Sequence, residues 1–117
     1  MMELIANQNL TLCQVNSPTV SAEEQKLLLV QIPQWNIIMS NAVQHLNRSF
    51  SFPDFGSALA FSNLVGELAQ SFGHHPAILI EWGKVEVSWW THLIHGLHGN
   101  DFIMAAKTDA LYEAQSR

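Results

Sequence analysis

The chain has 117 residues, 48% of them hydrophobic and 13% charged, with 5 Lys+Arg against 10 Asp+Glu and a net charge of -5. That length suits one domain able to bury about two thirds of the surface its unfolded form exposes, and the composition is neither disordered nor fibrous. The scattered cations Lys26, Arg48, Lys84, Lys107 and Arg117 make no patch, so the acidic balance argues against nucleic acid and against an anionic membrane surface as partners.

Residues 1–20 show no firm period and read as an irregular leader, loose at its start. It has no basic region ahead of an apolar stretch, so it is not a secretory signal, and no later segment is apolar enough to span a membrane. The expectation is a soluble cytoplasmic protein. Cys13 lies in this leader as the single cysteine, which excludes an internal disulfide and zinc sites built on several thiolates.

Residues 21–117 read as one domain. Ser21 begins Ser-Ala-Glu-Glu, a helix-capping pattern, and Leu27, Leu28 and Val30 give the short helix an apolar face before Pro33 ends it. Residues 35–39 alternate as a strand, Ser40-Asn41 is a turn, and residues 42–52 continue as a second strand with Leu46, Phe50 and Phe52 on one side. Asp54 caps a helix over residues 55–72, whose apolar stripe recurs at about 3.6 residues, and Gly73 ends it. Residues 77–80 and 85–90 form a second hairpin with a tight turn near Gly83. Asn100 or Asp101 caps a last helix, whose buried face includes Phe102, Ile103, Ala106, Ala110 and Leu111. Two hairpins joined by helices predict an α+β two-layer domain, a four-stranded antiparallel sheet with about three helices packed on one face.

Histidine carries the chemical signal. Of six, five fall between residues 74 and 98: His74, His75, His92, His95 and His98. The His74-His75-Pro76 junction follows a helix C-terminus, which favours protonated imidazole. A solvated turn reads the same way. His92-x-x-His95-x-x-His98 invites a metal, but Gly96 and Gly99 break the helix that would gather the ligands, so none is expected. Asp101 is either a helix cap or a carboxylate that orients an imidazole. Trp82, Trp89 and Trp90 are core, subunit interface or a stacking surface for a flat heterocycle.

In order and spacing, His74-His75-Pro76, Trp82, Thr91-His92, Gly96-Leu97 and Asp101 resemble the pterin-4a-carbinolamine dehydratases. His92 stands eighteen positions after His74, and Asp101 nine after His92. The stretches at 31–36, 81–85 and 96–106 resemble bacterial members in particular, and the likeness covers roughly residues 20–115.

The resemblance implies dehydration of 4a-hydroxytetrahydropterin to quinonoid dihydropterin, a step in regenerating the cofactor of aromatic amino acid hydroxylases. It implies a homodimer or homotetramer, a pterin as substrate, a functional link to such a hydroxylase, and no resident cofactor or metal. It assigns His74, His75 and His92 as catalytic, with Asp101, Pro76, Trp82, Thr91 and Gln70 binding or orienting. Gln70 departs from the Glu that many members carry there, which removes a charge expected beside His74. The competing reading is a non-catalytic dimeric binding partner or assembly factor that keeps the dehydratase fold.

Overall fold

The computed structural model describes residues 4–115. The expected loose start of the leader falls partly on residues 1–3, outside that range.

The domain follows the predicted order. Helix α1 is Ala22–Leu29, strands β1 and β2 are Asn36–Ser40 and Val43–Ser51, and α2 is Phe55–Phe72. Strands β3 and β4 are Ala77–Glu81 and Lys84–Trp89, and α3 is Gly99–Gln115. All strand pairings are antiparallel in the order β1-β2-β4-β3, which sets the two hairpins side by side with their second strands in the centre.

Local chemistry places each boundary. The Ser21 hydroxyl accepts from Glu24 N, and the Asp54 carboxylate accepts from Ser57 N at 2.7 Å, so both expected caps form. The first hairpin closes through Asn41 and Ala42, both at positive φ, the pairing of a type I′ turn. In the second, Gly83 sits at φ +76, and a Cβ there would approach Phe52 O to 3.1 Å.

The core lies between the sheet and the helices. Leu46 and Phe50 of β2 meet Val85, Val87 and Trp89 of β4, all buried. From the helix layer α2 contributes Ala58, Phe61, Val65 and Ala69, and α3 contributes Phe102, Ile103, Met104 and Ala105. The indole of Trp89 donates to Thr108 Oγ1 at 3.1 Å, so its polar edge is satisfied inside. The opposite sheet face is polar at its centre, where Asn47 Nδ2 bonds Glu86 Oε1 and Ser88 Oγ.

Two expectations are corrected. The first helix stops at Leu29, four residues before Pro33, and it packs through Leu28 and Leu29 while Leu27 and Val30 face solvent. The last helix begins at Gly99, ahead of both expected caps, because His98 occupies the capping position: its Nδ1 accepts from Asn100 N at 3.1 Å. Residues 10–20 are irregular yet packed, since Leu10 and Val20 lie against the core and Val20 N donates to Leu97 O at 2.8 Å. Among the described residues, no helix is long and apolar enough to cross a membrane.

Candidate active site

The end of α2 separates the paired histidines. Gly73 is left-handed at φ +64. Its N–H donates to Gln70 O at 3.3 Å, and His74 N donates to Ala69 O at 3.1 Å, a Schellman closure. The chain thereby turns His74 inward and His75 outward. His74 lies nearly parallel to Trp89, with ring centroids 5.8 Å apart, and its Nε2 is 2.6 Å from Asp101 Oδ1. His75 is exposed, and its Nε2 lies 3.0 Å from Gln70 Oε1. Gln70, expected beside His74, therefore serves His75. Pro76 follows the pair and leads directly into β3.

Asp101 is the buried centre of the arrangement. It has no solvent exposure. Its Oδ2 accepts from Thr91 Oγ1 at 2.7 Å and from His98 N at 2.9 Å, leaving Oδ1 for His74. Asp101 lies inside α3 and is not its cap: it accepts from the N–H of the capping residue His98, and it holds the imidazole of His74. Thr91 contributes through Asp101.

Beyond β4, Thr91 and Gly96 pair as an isolated bridge and close a short loop, inside which His92–Ile94 forms a 3-10 turn. His92 sits at 4.5 Å from the Trp90 ring. The other partner of Trp90 is His45 of β2, stacked at 3.8 Å and 1°. Burial, followed by the charge of His92, lowers the His45 pKa, and Asp101 partly offsets this.

These groups border a cleft of about 350 Å³, lined by Phe72, Gly73, His74, His75, Trp90, Thr91, His92 and Leu93, with residues 10–13 and Asn100 completing it. That volume lies near the lower end of the range for small-molecule sites, roughly 300–1,000 Å³. Trp82 stands apart. It is 74% exposed at the far turn of the second hairpin, a strand length of about 17 Å from the His pair. Among the described residues, no three His, Cys, Asp or Glu side chains are grouped to hold a metal ion, and His92, His95 and His98 do not converge.

No sequence pattern marks residues 10–13, Asn100 or His45 as neighbours of the site. His45 becomes visible only through strand register: Leu46 pairs with Trp89, which sets its neighbour beside Trp90. Asn100 and Thr11 are 89 residues apart in sequence, and nothing local joins them.

The family model for pterin 4 alpha carbinolamine dehydratase matches residues 18–111. A protein of Syntrophotalea carbinolica is 52% identical over 112 residues, covering 96% of this chain and 100% of the relative. A protein of Marinobacter nauticus is 49% identical over 111 residues, covering 95% and 100%. Both are named "Putative pterin-4-alpha-carbinolamine dehydratase". Among solved structures, a transcriptional coactivator/pterin dehydratase from Brucella melitensis superposes with a TM-score of 0.72 at 26% identity, covering 81% of this chain and 99% of that one. A pterin dehydratase-like protein described as a RuBisCO assembly factor in the alpha-carboxysome superposes at 0.57 with 22% identity, over 68% and 89%, a likeness of fold.

Proposed function

This chain belongs to the pterin 4 alpha carbinolamine dehydratase family, and from that membership we propose that the histidine cleft dehydrates 4a-hydroxytetrahydropterin to quinonoid dihydropterin by general acid–base catalysis. The observation that carries the reading is the contact of His74 Nε2 with fully buried Asp101 at 2.6 Å, in a cleft shared with His92.

The reaction needs a proton delivered to the C4a hydroxyl and a proton taken from the adjacent ring nitrogen. The C4a–O bond breaks, the nitrogen lone pair becomes the new C=N bond, and water leaves. With Nε2 engaged by a carboxylate, Nδ1 is the nitrogen of His74 available to a substrate. Asp101 holds the ring orientation and stabilises the imidazolium formed when Nδ1 accepts a proton, which suits His74 as the base. His92 is exposed and, among the described residues, has no carboxylate bonded to it, which suits delivery of a proton to the departing hydroxyl. The two protonation states reset through solvent. His75, held by Gln70, binds the polar edge of the pterin. Trp90 lines the same cleft. A functional link to an aromatic amino acid hydroxylase, a homodimeric or homotetrameric state and a cytoplasmic location belong to the same reading.

The test is the rate of 4a-carbinolamine loss, followed by ultraviolet absorbance, with the intermediate made in place by an aromatic amino acid hydroxylase. His74→Ala and His92→Ala should each lower kcat by about 10²–10⁴-fold with an unchanged circular dichroism spectrum. A well-folded wild-type protein that leaves the rate unaltered would overturn the proposal and favour a binding or assembly role.

A further inference from the structure

The histidines occupy only part of the cleft. Residues 10–13 contribute to its lining, and the proposed proton transfers use none of them. This arm is tied down on both sides. Before it, Ile5 is buried in the core and Lys107 Nζ donates to Ala6 O at 2.7 Å. After it, Val20 N donates to Leu97 O, and Thr19 packs so closely on Gly96 that an added Cβ there would come 2.7 Å from Thr19 Cγ2.

Between these ties, Asn100 holds Thr11 directly. Thr11 N donates to Asn100 Oδ1 at 2.9 Å, and Asn100 Nδ2 donates to Thr11 O at 2.8 Å. The Thr11 hydroxyl reaches the same Oδ1 at 3.4 Å. A side-chain amide paired with both backbone groups of one residue copies a rung of a β-ladder. It uses both acceptor positions and one donor of the Asn100 amide, so Asn100 acts as a clamp more than as a ligand contact. Its neighbour in sequence is Asp101, so the first turn of α3 positions the arm and His74 together.

The clamp fixes Leu12 in the lining of the cleft with 81% of its surface exposed. A leucine held in place and left wet gains by being covered, and Leu10, Phe72 and Leu93 add further apolar lining. The cleft's modest volume suits a bicyclic heterocycle.

We propose that residues 10–13 are a substrate-contacting wall of the dehydratase cleft, with Leu12 packing on the bound pterin and Asn100 as the positioning residue that holds the wall in register. This rests on the dehydratase reading. The family model's own match begins at residue 18, so the wall lies outside the residues which that model covers.

Four full-length proteins test it: wild type, Leu12→Ala, Leu12→Met and Asn100→Ala. Two readouts are used, steady-state kcat and KM for the carbinolamine, and the Kd of unreactive 7,8-dihydrobiopterin by quenching of tryptophan fluorescence. Leu12→Ala should raise KM and Kd about fivefold with kcat within about twofold. Leu12→Met should restore both, because it conserves volume. Asn100→Ala should raise both at least as much as Leu12→Ala. If it does not fold, the Leu12 pair decides alone. Unchanged KM and Kd in Leu12→Ala, with active wild type, would overturn the wall and leave the dehydratase reading standing. Pterin binding that weakens in Leu12→Ala without any wild-type acceleration would support the wall and overturn the dehydration. A wild type that neither binds nor accelerates would overturn both.

Discussion

On helix α3, Asp101 and Asp109 each lie beside a different cavity. The histidine cleft near Asp101 holds about 350 Å³, and a groove lined by Gln31, Arg48, Asp109 and Glu113 holds about 410 Å³. Asp109 accepts from Trp35 Nε1 at 2.8 Å and from Arg48 Nη1 at 2.6 Å. Arg48 in turn lies 4.2 Å over the Phe50 ring. On polar contacts and volume the two regions look alike. They differ in what the carboxylate holds. The network around Asp101 includes an imidazole, whose ring nitrogens can each serve as donor or acceptor according to the tautomer. Asp109 is held by a guanidinium and an indole N–H, which only donate. One arrangement can pass a proton to a ligand, and the other can only fasten α3 to the sheet. Burial even pushes the Asp109 carboxyl up, against the pull of Trp35 and Arg48.

The largest effect separating the two should come from Asp101→Asn. It removes the charge beside His74 while keeping an oxygen and the shape of the group. We expect kcat to fall about 100-fold, with a stability loss of about 1–3 kcal/mol in urea titration. Unchanged kcat would erase the distinction between the two regions.

Arg48→Met probes the other region. It leaves Asp109 largely buried with Trp35 as its remaining donor. A loss of about 1–3 kcal/mol is expected, with kcat/KM within about twofold of wild type. A tenfold drop in kcat/KM would show that the groove is coupled to the cleft.

The smallest effect concerns pH, and its sign differs between the regions. The His45 pKa is lowered from 6.5, so the fold prefers neutral His45. That stability is present above about 6.5 and is lost as pH falls through the lowered value. The Asp109 pKa is raised, so the protonated carboxyl is preferred. Its contribution is fully present below the ordinary carboxylate range and is lost as pH rises through the raised value. His45→Phe keeps a ring against Trp90 and removes the titration. Between about pH 7 and about pH 5, the Tm of wild type should fall relative to that variant. Parallel Tm curves would show that His45 does not set the acid sensitivity of the cleft end.

The sequence made the scaffold legible because its signals are local. Ser21, Asp54 and Gly73 sit where capping chemistry requires them, and α2 occupies the residues its stripe predicts. The start of α3 was harder to read because histidine is an uncommon cap, and two better capping residues follow it. Within the site, the spacing of His74, His92 and Asp101 identified the family, yet spacing says nothing of distance. Trp82 belongs to the same ordered set of residues and lies a strand length away. His45 and Asn100 gain their roles from strand register and from a contact across most of the chain. Such long-range placement leaves no periodic trace.

The first turn of α3 has a consequence for how the cleft opens. His98, Asn100 and Asp101 lie within four consecutive residues, and between them they hold the helix start, the arm, Thr91 and His74. Fraying of that turn would release all four attachments together. Amide protons at Thr11, His98 and Asn100 should then exchange with solvent as a single cooperative unit, with one opening free energy in place of several. The cleft is in this sense a latch with one catch, and its integrity is set by a single helical turn.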